Sequence, residues 1–123
     1  MATNNSAINE LICRVFTTRG TSHLAHWKTK CYAEHMALGD FYDDIIGSVD
    51  TIVEAYQGNF GLVDTSLDMC KVEKTILAQL KADVNWIAMN RSDIAHKVDA
   101  IENLIDGLTE IYLKTIYKLT FLS

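Results

Sequence analysis

From Ile94 to Leu122 the chain repeats apolar or near-apolar residues in alternating steps of four and three: Ile94, Val98, Ile101, Ile105, Leu108, Tyr112, Thr115, Leu119 and Leu122. This spacing lays one seam along one side of an α-helix, and such a seam has to be buried against other helices. No proline occurs anywhere in the sequence, so nothing forces a helix to break in its interior. Together these features point to a bundle of long helices.

A second seam steps through His35, Gly39, Tyr42, Ile46, Val49, Val53 and Tyr56. Gly39 is out of place in an apolar row, and a glycine there marks close approach of a neighbouring backbone or side chain. Upstream, Ile8, Leu11, Ile12, Val15 and Phe16 form one helical face that Leu24 and Trp27 resume. Between them Thr17 to Thr21, with Gly20, is weaker helix material and a candidate kink. Downstream, Met69, Val72, Ile76, Leu80, Val84 and Ile87 supply a third face. Asn5 or Ser6 suits the first N-cap, Thr65 or Ser66 the third, and Ser92 or Asp93 the fourth, while Gln57 to Gly61 reads as a stop and turn.

The predicted helices cover about 6–30, 32–57, 66–90 and 93–121 of a single domain, an all-α four-helix bundle. A linker over 58–64 spans only ~25 Å, which makes up-down-up-down the simplest topology. If the third helix begins only at Cys70, the span grows to ~40 Å, and a long crossover with parallel second and third helices becomes accessible. Off the main seam of the last helix, Ile111, Ile116 and Phe121 are free for an oligomer contact.

Composition excludes several function classes. Of 123 residues, 49% are hydrophobic and 22% charged, which is globular rather than disordered. The net charge of −5 and the lack of a basic run give a nucleic-acid partner no electrostatic support. The most apolar stretch, Leu108 to Leu122, is interrupted by Glu110, Lys114 and Lys118, so no membrane span is expected. The N-terminus has no secretory pattern. Cys13, Cys31 and Cys70 are odd in number and contain no C-x-x-C, which argues against a disulfide framework or thiolate zinc site. They read as reduced thiols of a cytoplasmic protein.

Polar groups with metal-binding potential concentrate between His23 and Gly58. His23 and His26, three apart, project from one side of a helix, as chelating imidazoles do. Asp50 and Glu54, four apart, pair two carboxylates suited to hard or borderline cations. The plainer alternatives are a surface and a core histidine, and a solvated acidic face shared with Glu34, Asp40, Asp43 and Asp44. Asp93 and His96 are explained by helix capping. No Glu-x-x-His occurs, so the usual ligand set of di-iron bundles is missing. No nucleophile–base set or phosphate loop is present either.

Ala25-His26-Trp27, His35-Met36-Ala37-Leu38-Gly39-Asp40-Phe41, Asp50-Thr51-Ile52-Val53-Glu54 and Gly58 resemble the first helical hairpin of the ferritin-like superfamily. The similarity is to its Dps group (DNA-binding protein from starved cells) and covers about a quarter of the chain. Tyr-Ala-Glu-His, Tyr-Gln-Gly and a late Tyr-Lys-Leu also resemble small phage-encoded helical proteins that are uncharacterised. The ferritin-like resemblance implies a homo-oligomer, at least a dimer, in which His26 and His35 of one subunit face Asp50 and Glu54 of a two-fold partner. His23 and Asp40 would be additional ligands. Iron is the implied metal, with manganese or zinc as alternatives, and ferroxidase or peroxide detoxification the implied activity. The chain departs from the pattern in a shorter His26–His35 gap, and in Gly39 where the family has Asp, with the acid moved to Asp40. It also lacks room in 59–64 for the family's extra short helix and has no basic tail, so DNA binding does not carry over. The competing expectation is a non-catalytic bundle, retaining the frame without the metal site, that acts by self-association or by binding another protein.

Overall fold

The computed structural model describes residues 4–66, 68 and 70–123. It contains four helices: α1 (Ser6–Lys28), α2 (Tyr32–Phe60), α3 (Ile76–Ala95) and α4 (Asp99–Phe121). No strand occurs among the described residues. Also among the described residues, no helix is long and apolar enough to cross a membrane.

Each helix packs mainly against two others: α1 and α4 both contact α2 and α3. Pairings along the helices fix their directions. Arg19 reaches the Tyr42 carbonyl (3.0 Å) and Tyr56 reaches Asn5 (2.7 Å), so α1 and α2 are antiparallel. Thr18 meets Gln79 and Arg14 lies over Trp86, so α1 and α3 are antiparallel too. It follows that α2 and α3 run parallel across a diagonal, and residues 61–75 must travel back along the bundle. Fifteen residues can extend to roughly 50 Å, enough to pass a helix the length of α1, ~35 Å. The up-down-up-down topology is therefore replaced by one long crossover.

The reason is local. Helix α3 starts at Ile76 rather than near 66, capped by the Thr75 hydroxyl on the Ala78 N–H (3.1 Å). Just upstream, the Gln79 side chain accepts from the Glu73 N–H (2.6 Å) and donates to the Lys71 carbonyl (3.2 Å). These bonds satisfy backbone groups that would otherwise need a helical turn. The crossover then lies alongside α1, with the Cys70 N–H on the Thr17 hydroxyl (2.9 Å).

Other boundaries move for similar reasons. Helix α2 runs through Gly58 to Phe60 and stops at Gly61, whose φ of +96° is open to glycine. Ser92 and Asp93 do not cap α4 but complete α3, and the turn is made by His96 and Lys97 at φ 50° and 62°. Helix α1 ends at Lys28 and is continuous through Thr17 to Thr21.

The core joins Ile8, Leu11, Ile12 and Val15 of α1 to Leu80, Ile87 and Ile94 of α3. From α4 come Ile101, Ile105, Leu108 and Tyr112, as the seam predicts, with Thr115 buried below them. On α2 the buried row is Leu38, Phe41, Ile45, Val49, Ile52 and Tyr56, so the predicted seam is shifted by one residue at most positions. Two adjacent apolar rows run along this helix, and periodicity alone does not choose between them. His35, Gly39, Tyr42, Ile46 and Val53 form the half-buried flank. Ile111 and Ile116, expected on a free surface, pack against the core, while Phe121 is exposed. Val72 is exposed on the crossover, and Met69 lies outside the described residues.

The cysteine expectation is also corrected. Cys13 on α1 and Cys70 on the crossover form a disulfide, their Cα atoms 5.8 Å apart, leaving Cys31 free. Sequence spacing does not reveal a pair separated by 57 positions, because only the crossover brings them together.

Candidate functional site

The three-residue connection between α1 and α2 places His26 in the last turn of one helix and His35 in the first turn of the next. The last carbonyls of a helix lack intrahelical donors, and the His26 carbonyl receives the His35 Nδ1–H at 2.9 Å. In return the His26 Nδ1–H donates to the His35 carbonyl at 2.6 Å. A carbonyl only accepts, so both rings carry a proton on Nδ1, and in the neutral tautomer this leaves the lone pair on Nε2. The rings stack with centroids 3.7 Å apart and planes 17° from parallel. Gly39 makes room for them: a Cβ there would sit 3.1 Å from His26 Cε1 and 3.3 Å from its Nδ1. The glycine in the apolar row thus marks a close approach, and the approaching group is an imidazole.

His23 extends the cluster. Its ring stacks on Tyr42 at 3.9 Å, and the His26 ring meets the same tyrosine edge-on at 5.3 Å. The remaining predicted ligands lie elsewhere. Asp40 is exposed and faces Lys118 Nζ at 3.6 Å. Asp50 and Glu54 are exposed on α2, Asp50 beginning ~22 Å along the helix from His35. One chain therefore gathers the three histidines and leaves the carboxylate pair apart. Among the described residues, no three of His, Cys, Asp and Glu come together as a metal-holding group.

A second polar constellation lies inside the bundle and was missed from sequence. Asp83 of α3 is fully buried, and its carboxylate accepts from the Thr18 hydroxyl, from the Tyr112 hydroxyl at 2.7 Å and from Arg14 at 3.3 Å. Gln79 links this group to the crossover through Thr18 (3.3 Å) and Lys71. Arg14 is held in turn by Glu10 (2.9 Å) and by the Trp86 ring face, 4.9 Å away. Burial pushes the Asp83 pKa above the usual carboxylate range, against the opposing pull of Thr18, Tyr112 and Arg14. Burial, reinforced by the Asp83 carboxylate, raises the Tyr112 phenol well above its ordinary value, so it stays a donor. Three donors from α1 and α4 thus meet the Asp83 carboxylate of α3, and the network ties these three helices together. Its trace in the sequence is an acidic residue three after Leu80 and four before Ile87, on the apolar stripe of α3.

At the opposite end, Tyr56 joins His96 Nε2 (2.9 Å) and Asn5, and His96 packs edge-on against Phe60. His96 therefore braces the α3–α4 turn, and exposed Asp93 does not cap α4.

One face of α1 is left uncovered by the described residues. Phe16, Leu24 and Trp27 are 39%, 48% and 67% exposed and line an open, largely apolar cleft of about 530 Å³ with Gly20 at its middle. Asp50 and Phe16 line a neighbouring hollow at the edge of this face.

Residues 26–119 of the 123 match a family described as a family of unknown function, DUF5856. No curated protein and no solved structure matches the chain.

Proposed function

The chain belongs to the DUF5856 family, a family of unknown function, and from that premise we propose that it works as a self-associating helical bundle joined through α1. The observation that carries this is the uncovered row of Phe16, Leu24 and Trp27 around Gly20. Bulky residues flank a position with no Cβ, so the row is complementary to a second, antiparallel copy of itself, as an isologous interface requires. Repulsion does not oppose it: the chain carries −5 overall, yet this cleft holds Asp68 as its single formal charge. Covering the exposed part of Trp27 and Leu24, 67% and 48% of each, contributes about 1–2 kcal/mol per side chain.

The test is solution mass by light scattering or sedimentation. A dimer or larger assembly that falls to monomer on Trp27→Glu supports the proposal, and a wild-type monomer at high micromolar concentration refutes it.

A metal-binding function is the second reading, and the Nδ1–carbonyl bonds of His26 and His35 favour it. Histidine ligands commonly donate their other ring nitrogen to a carbonyl, leaving Nε2 for the metal. An antiparallel α1 contact also turns the Phe16 end of one copy, edged by Asp50, toward the Trp27 end of the other, edged by His23. His26 and His35 would hold the ion with Asp50 and Glu54 of the second copy, and His23 or Asp40 would assist. Iron, or else manganese or zinc, would supply Lewis-acid or redox chemistry there when bound. The single long crossover is the connectivity of ferritin-like bundles, which agrees with this reading. Elemental analysis after anaerobic Fe²⁺ loading decides it. Stoichiometric metal lost on His35→Ala with Glu54→Ala supports the site, and no retained metal in an intact oligomer removes it.

A further inference from the structure

We infer that the Cys13–Cys70 disulfide is a reversible thiol–disulfide latch that fastens the crossover to α1 without holding the four-helix core. One cysteine stands on a helix and the other on the non-helical segment 61–75, so the bond joins a rigid element to a loosely attached one. Apart from this bond, four backbone groups of the described crossover residues are tied to helix side chains. The Val63 N–H donates to Gln57 Oε1 (3.0 Å), the Cys70 N–H to Thr17 and the Glu73 N–H to Gln79, and the Lys71 carbonyl accepts from Gln79. Among the described residues of the crossover, Val63 packs against the core, and Leu62 and Val72 are exposed. Neither sulfur belongs to the buried core cluster, which among the described residues draws on the four helices.

The bond is also accessible. Cys13 and Cys70 line an open cleft of about 540 Å³ with Glu10, Arg14, Lys71 and Glu73. A dithiol reductant therefore has a path to it: one thiolate attacks a sulfur, the Cys13–Cys70 bond breaks, and a mixed disulfide forms. The reductant's second thiol then displaces the remaining cysteine. Two electrons pass to the protein, two cysteine thiols result, and the reductant leaves as its own disulfide. Each new thiol has an acceptor nearby when the crossover lies in place, the Asp68 carbonyl 3.2 Å from Cys13 Sγ and a Glu10 oxygen 3.6 Å from Cys70 Sγ, so a returning crossover brings the pair together to close again. Reduction frees the segment whose Thr65 and Ser66 wall an open hollow with Ile12, Val49 and Val53 of α1 and α2. Redox state thereby controls the width of that hollow.

The test uses the full chain, first oxidised with a cyclic disulfide and then treated or not with dithiothreitol. Alkylation labels Cys31 alone before reduction and all three cysteines after it. Hydrogen exchange then shows amides of residues 61–75, with Val63, Cys70 and Glu73 as reporters, exchanging at least tenfold faster in the reduced protein. Amides of α2 and α4 keep their rates. The Cys13→Ser, Cys70→Ser double variant shows the reduced pattern without reductant and no longer responds to it. Three labelled thiols after oxidation, or equal exchange of 61–75 in both states, overturns the inference. Loss of protection throughout α2 and α4 on reduction overturns it as well, because the bond would then hold the bundle itself.

Discussion

Replacing Gly39 by alanine should destabilise the protein, although alanine is the better helix former. Two terms compete. In a helix interior, glycine to alanine gains about 1 kcal/mol from backbone entropy and propensity. Gly47 and Gly107, also within helices, have nothing within 4 Å of an added Cβ, so Gly107→Ala and Gly47→Ala should realise that gain. At Gly39 the added carbon would lie 3.1 Å from His26 Cε1. The imidazole cannot retreat freely, since it is fixed by the 2.6 Å bond to the His35 carbonyl and by stacking on His35. Overpacking of this kind costs about 1–3 kcal/mol, so the net effect of Gly39→Ala is about 0–2 kcal/mol unfavourable. Gly39→Ala should therefore fall about 1–3 kcal/mol below Gly107→Ala in urea unfolding. The cycle with His26→Ala isolates the cause: without the ring, Gly39→Ala should become stabilising. If Gly39→Ala stabilises the wild-type protein as much as Gly107→Ala does, the imidazole is not held where the argument requires.

Further outcomes follow from the interior and the α1 face. Asp83→Ala should cost about 2–6 kcal/mol, because it leaves the buried Tyr112 and Thr18 hydroxyls without their acceptor at about 1–3 kcal/mol each, with Arg14 keeping Glu10 as its counter-charge; urea unfolding of that variant measures it. Because burial raises the Asp83 pKa, between the ordinary value of 3.8 and the folded value the native chain binds more protons than the unfolded one. The group's contribution to stability therefore rises as pH falls through that window. Wild type should accordingly gain stability relative to Asp83→Asn on acidification from pH ~7 to ~4, and a relative loss would contradict the burial argument. Removing the indole by Trp27→Ala should weaken self-association about tenfold or more in sedimentation, with far-ultraviolet circular dichroism unchanged.

The histidine cluster was only half legible in the sequence. Gly39 in an apolar row announces a close neighbour, and His23, His26 and His35 announce a polar cluster, but nothing in their spacing says that the two meet. The hairpin turn makes that contact. His26 and His35 were read as ligands; in the folded chain each first satisfies the other's backbone carbonyl. Asp83 escaped notice because an acidic residue beside an apolar stripe is usually solvated, and its partners Thr18, Arg14 and Tyr112 come from two other helices. The α2 seam was misplaced by a residue because two apolar rows lie side by side, and only packing against α4 selects the one containing Phe41.

Local chemistry settled the class of the fold. The absence of proline, the four-three repeat of the last helix and the turn residues near Gly61 act through backbone sterics and periodic burial, which neighbouring residues determine among themselves. Connectivity was decided elsewhere. The crossover depends on Gln79 caring for the backbone at Lys71 and Glu73, and on Cys70 reaching Cys13, contacts between groups that sequence separation keeps apart. The same holds for the buried carboxylate, which needs three helices to satisfy it. Periodicity carries information over a few turns of helix; the pairing of distant polar groups exists only once the helices have been brought together.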